Sequence, residues 1–101
     1  MGSKRSSAGA LVAVRRRIDR LDEQLLRLLN ARAKLALEIG RLKRLGKWPV
    51  YDARREAFVL RHVAQANGGP LSPAAVRHVF QSVLTECRRR QRTRRTAASR
   101  A

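Results

Sequence analysis

Aromatic side chains are scarce: Trp48, Tyr51, Phe58 and Phe80 are the only ones among 101 residues. Base stacking on a nucleic acid is therefore poorly provided for. Cysteine is scarcer still. Cys87 stands alone, which excludes an intramolecular disulfide, and His62 and His78 lie too far from it in sequence to suggest a metal site. No apolar run approaches the length needed to cross a bilayer, and the first ten residues, MGSKRSSAGA, lack the apolar core of a signal peptide. The expectation is a cytoplasmic protein without a membrane partner. Internal repeats, a glycine-rich phosphate loop and a Ser/His/Asp or Cys/His arrangement are also missing. The sequence thus offers no sign of nucleophilic catalysis or of a cofactor.

What the chain has in excess is positive charge, with 24 Lys and Arg against 7 Asp and Glu for a formal +17. Such a balance suggests an anionic partner: nucleic acid, an acidic membrane face or a small polyanion. Of that charge, +2 falls on residues 1–10 and +6 on residues 86–101, leaving +9 between them. Residues 1–10 and the basic segment 92–101 show no apolar period and read as disordered, with residues 11–91 as one helical domain.

Three helical segments are predicted and no strand, so the fold class is all-α, one long helix and two shorter ones. The first runs from about Ala10 to Leu45, ending before Gly46 with Pro49 beyond it. Its apolar positions, Leu11, Val14, Ile18, Leu21, Leu25, Leu28, Leu35, Ile39 and Leu42, alternate by three and four like a heptad seam. Such a helix is about 50 Å long, whereas a compact domain of this size has a radius of gyration of about 13 Å. A second copy lying antiparallel along it is the economical cover. The second segment follows Asp52 as N-cap and stops at NGGP; the third starts at Ser72-Pro73 and fades near Gln91. The third carries the stripe Val76, Val79, Phe80, Val83 and Leu84, which continues to Cys87 and Gln91.

Polar residues on these inward faces are the informative ones. Arg32 fills the single gap in the long seam, and Lys43, eleven residues on, falls within about 20° of its direction and about 16 Å along the axis. Two such cations suit one small dianion. Arg15 is about 42 Å from Lys43 along the same helix. If two copies cross about a two-fold axis near Leu28 and Leu29, however, Arg15 of one comes level with Lys43 of the other. Asp52, Arg55 and Glu56 share a face with Val59, Leu60 and Val63, so the second helix starts polar on that side. Each also has a plainer reading: Arg15 as a solvated charge, Arg32 snorkelling or paired with Glu23 or Glu38, Asp52 as a cap, Glu56 as a first-turn acid and Gln91 as a surface residue.

Three stretches, RRRIDRLDEQLLRLLNARAKLALEIGRLK, VYDARRE and VFQSVLTECRRRQ, carry a family resemblance over roughly Leu11 to Gln91. The chain resembles the all-helical AroQ class of chorismate mutases, which form intertwined homodimers. The resemblance implies conversion of chorismate to prephenate by a pericyclic rearrangement, within aromatic amino acid biosynthesis and without metal or cofactor. It implies that Arg15 reaches into the partner's site to hold a carboxylate, that Arg32 grips a carboxylate from its own chain, and that Lys43 contacts the ether oxygen and the neighbouring carboxylate. Asp52, Arg55 and Glu56 match the polar start of the second helix, where the glutamate receives the ring hydroxyl. Gln91 matches the donor to the ether oxygen. Cys87 stands where the family often has serine, and a thiol is a weaker donor to a ring carboxylate. The basic segment after Gln91 is a second departure.

Three other readings compete: an isochorismate pyruvate-lyase of the same architecture, a basic helical protein binding nucleic acid through its arginine tail, and a plain helical dimerisation module. Glu56 favours the mutase over the lyase. Asp52, Glu56 and Gln91 have no place in the nucleic-acid reading.

Overall fold

The computed structural model describes residues 2–100, with side chains described for residues 6–92. Three helices make up the fold: α1 (Gly2–Gly46), α2 (Ala53–Ala66) and α3 (Pro73–Arg100), with no strand among the described residues. The outer helix ends differ from the sequence expectation. α1 starts at Gly2 rather than near Ala10, and α3 continues to Arg100 rather than fading near Gln91. Helix thus extends where the lack of an apolar period predicts disorder. Periodicity marks burial, whereas the Arg and Ala that follow Gln91 favour helix without it; the Gly- and Ser-rich start of α1 has no such propensity to explain it. Side chains of residues 1–5 and 93–101 lie outside the described residues.

The caps follow the sequence closely. The Asp52 side chain accepts from Arg55 N at 3.0 Å, and Ser72 Oγ accepts from Ala75 N at 3.0 Å, each relieving a first-turn amide that has no partner within its helix. Asn67 closes α2 and brackets the following turn, its Nδ2 donating to Leu71 O at 2.6 Å and its Oδ1 accepting from Gly69 N at 3.1 Å. Gly69 has φ 78°, which glycine adopts without steric cost.

Gly46 behaves differently from a terminal glycine. It is the last residue of α1, and the left-handed position falls on Lys47, φ 57°. Trp48 N donates to Lys43 O at 2.8 Å and Lys47 N to Arg44 O at 3.2 Å, the paired bonds of a Schellman end. A Cβ on Gly46 would stand 3.0 Å from the Trp48 ring, so glycine is needed there for contact rather than for backbone freedom. A non-glycine left-handed residue costs about 1–2 kcal/mol, against about 0.5–1 kcal/mol for the extra entropy glycine loses on folding. Lys47→Gly is therefore expected to raise stability by about 0.5–1 kcal/mol, read as a higher denaturation midpoint with unchanged slope.

By internal contacts the chain divides into one unit ending at Arg32 and another starting at Ala33. The first is the leading part of α1. Its apolar seam is open to solvent in the single chain, with Leu21, Leu25 and Leu28 exposed by 61%, 54% and 69%. The second unit holds the rest of α1 together with α2 and α3. α2 packs on α3, as two helices joined by a short turn do. The centre of this packing is Val59, Val76, Leu84 and Cys87, all buried. Phe80 and Val83 are half-buried, and Val79, expected on the same stripe, is exposed.

Candidate active site

Gln91 is the buried polar residue of the second unit, only 8% exposed, and not the surface residue its place beside the arginine run would suggest. Its Nε2 donates to Ala36 O of α1 at 2.7 Å. That carbonyl belongs to a helix interior and has a second lone pair beyond its helical bond. Gly40 lets Gln91 reach it, because a Cβ there would stand 3.1 Å from Gln91 Cγ. A helix interior loses about 1 kcal/mol by holding glycine in place of alanine, so the close approach has a cost that the site must justify. The bond fixes which end of the amide is nitrogen and leaves the second N–H for another acceptor. Gly40→Ala is expected to displace Gln91 by a few tenths of an ångström and to leave the midpoint of a thermal melt nearly unchanged, the propensity gain offsetting the crowding.

Ala36, Gly40 and Lys43 follow one another at i, i+4 and i+7, so the α1 face that meets Gln91 also carries Lys43. Lys43 is half-buried, and its Nζ donates to Val50 O at 2.7 Å. An ammonium has three N–H groups, so this anchor leaves two. On α3, Cys87 and Arg88 stand four and three residues before Gln91 on the same side of the helix. Cys87 is buried and forms no disulfide.

Of the three polar residues opening α2, Glu56 is half-buried, whereas Asp52 and Arg55 are exposed. Asp52 is occupied as the cap, and the Arg55 guanidinium lies 5.2 Å over the Phe58 ring, which in turn stacks on His62. Glu56 is ion-paired with Arg88 across the α2–α3 contact. Arg88 also lies 5.0 Å over the Tyr51 ring. The sequence reading did not single out Arg88 or Gly40. Their signals were present: Arg88 continues the Leu84 stripe at i+4, and Gly40 interrupts a helix between Ile39 and Leu42.

Arg15 and Arg32 belong to the first unit, where Arg15 is exposed and Arg32 half-buried. Glu38, a possible partner for Arg32, pairs with Arg41 at 2.5 Å, and that hydrogen bond and charge lower the Glu38 pKa. An open hollow lined by Lys34, Leu37, Glu38, Arg41 and Arg44 contains none of the predicted site residues. All its walls come from one helix, so it is a space between side chains on a surface rather than a cleft. No cluster fit for a metal ion occurs among the described residues.

Within the second unit Lys43 is anchored on Val50 O, the Gln91 amide is oriented by Ala36 O and Glu56 is paired with Arg88. None of them is a nucleophile activated by a neighbouring base.

Residues 14–92 match the family model for chorismate mutase type II. A bifunctional chorismate mutase/prephenate dehydratase from Stutzerimonas stutzeri is 39% identical over 88 residues, 81% of this chain and 24% of the relative. Its counterpart from Pseudomonas aeruginosa is 43% identical over 82 residues, 76% of this chain and 22% of the relative. The chain thus spans about a quarter of the length of these curated relatives. Among solved structures, chorismate mutase (form II) from Thermus thermophilus superposes with a TM-score of 0.75 at 34% identity, covering 76% of this chain and 88% of that one.

Proposed function

The chain belongs to the type II chorismate mutase family, and on that premise we propose that it converts chorismate to prephenate in aromatic amino acid biosynthesis, as a cytoplasmic homodimer whose catalytic domain is residues 11–91. The observation that carries the reading is the family match over residues 14–92, which takes in every residue assigned a role below.

The rearrangement breaks a C–O bond as a C–C bond forms within one molecule. No proton relay or covalent intermediate is required. Two tasks remain for the protein. The first is to hold a flexible dicarboxylate in its compact conformer, a gain in orientation that planar arginine forks supply well. Arg32 takes this role within its own chain, and Arg15 takes it in the partner's site. Asp52 and Arg55 bind at the polar start of α2. The second task is to stabilise negative charge developing on the ether oxygen. Lys43 and the remaining N–H of Gln91 are the donors, and Glu56 accepts from the ring hydroxyl. Cys87, in the position where family members often have serine, contributes at most a weak donor to the ring carboxylate.

Support for the dimer comes from the seam of α1. A row of leucines open to water is a surface that a second copy would cover, and burial stabilises by about 25 cal/mol per Å² of apolar area. The decisive assay mixes purified protein with chorismate, follows the loss of its ultraviolet absorbance and identifies the product. Prephenate is expected. No turnover of chorismate would overturn the reading, and pyruvate release in a parallel assay supplied with isochorismate would then favour the lyase.

A further inference from the structure

We propose that Arg88 is a positioning residue for the Glu56 carboxylate: by holding Oε2 it presents Oε1 to the substrate's hydroxyl. The inference rests on the proposed role of Glu56. Arg88 Nη1 donates to Glu56 Oε2, joining α3 to α2 across 32 positions of sequence. Both side chains are largely withdrawn from water, at 22% and 16% exposure. The guanidinium is fixed from another side by the Tyr51 ring, 5.0 Å from its centroid, in the segment that leads into α2.

A carboxylate only accepts, and it has two oxygens with which to do so. Of the two Glu56 oxygens Arg88 engages Oε2, so the pair occupies one half of the carboxylate and leaves the Oε1 half for another donor. Without a partner the long Glu56 side chain would sample several rotamers, and a substrate would have to order it on binding. Arg88 does this in advance. Arginine suits the task because its rigid fork sets a direction as well as supplying a charge, which lysine does not. The same residue leaves α3 one turn before Gln91, so the hydroxyl acceptor and the ether-oxygen donor are referred to a single helix.

A purely structural tie between α2 and α3 would also couple Arg88 to Glu56, so the double-mutant cycle is run on kcat/KM and on the denaturation midpoint together, and only a positioning role couples kcat/KM under conditions where all four proteins are fully folded. In the full chain, Arg88→Leu is expected to lower kcat/KM for chorismate about tenfold in the Glu56 background and less than about twofold in the Glu56→Gln background. Arg88→Lys, which keeps the charge and α2–α3 pairing, should recover part of the loss and serves in the same cycle if the leucine variant does not fold. Equal losses in the two backgrounds, or no loss in either Arg88 variant, would overturn the positioning role while leaving the activity assignment intact. Wild-type turnover by Glu56→Gln alone would instead remove the role of Glu56, and the inference with it.

Discussion

Lys43→Ala is expected to lower kcat by about 10²-fold or more while leaving a helical protein, because it removes a fixed cation from the oxygen on which charge develops in the transition state. The structure allows the folding cost to be stated separately. Lys43 makes a single described hydrogen bond, to Val50 O, and a bond from a charged donor contributes about 1.5–3 kcal/mol. For a domain of this size each kcal/mol corresponds to a fall in Tm of about 4–8 °C, so turnover is measured below the midpoint that the variant itself shows. Circular dichroism and steady-state kinetics on the same sample check both halves. A folded Lys43→Ala protein with near-normal turnover would sink the catalytic assignment.

Mixing two dead variants should restore activity. Arg15→Ala and Arg32→Ala are each expected to be inactive as homodimers, since every site then lacks one carboxylate clamp. In a mixed dimer one site takes Arg32 from the first variant and Arg15 from the second, and both are intact; the other site lacks both. Random re-association of equal amounts makes about half the dimers mixed, so recovery should approach about a quarter of wild-type activity per chain. The measurement is turnover after unfolding and refolding the two proteins together, compared with each refolded alone. No recovery would show that the two arginines do not serve one site from different chains.

Much of the architecture is legible in the sequence because capping and periodicity are local. Asp52 and Ser72 are the small polar residues that can accept from first-turn amides, and each does so in the structure. The heptad spacing of α1 likewise identifies a helix too long to be covered by its own chain. What could not be read depends on contacts between elements. Even at one helix end the side-chain packing decides: the left-handed residue is Lys47, while Gly46 is the residue over which the Trp48 ring lies. Arg88 stands within a run of three arginines, and charge alone does not say which one turns toward α2. Its partner Glu56, expected as the acceptor of a ring hydroxyl or more plainly as a first-turn acid, gave no hint of an arginine from 32 residues away. Gln91 was visible as the end of an apolar stripe, but its hold on Ala36 O depended on a glycine whose value appears only when α3 is laid against α1.

The length of α3 changes the meaning of the arginines that follow Gln91. A helix frays over its last turn, where carbonyls lose their partners. Had α3 stopped at Gln91, the amide would have hung from that loose end. The helix instead continues to Arg100, about two and a half turns further, so Gln91 is carried by an interior turn whose backbone bonds are complete. Arginine is among the better helix formers, and cations near a helix C-terminus interact favourably with its dipole. The turns that follow Gln91 therefore keep it clear of the frayed end of α3.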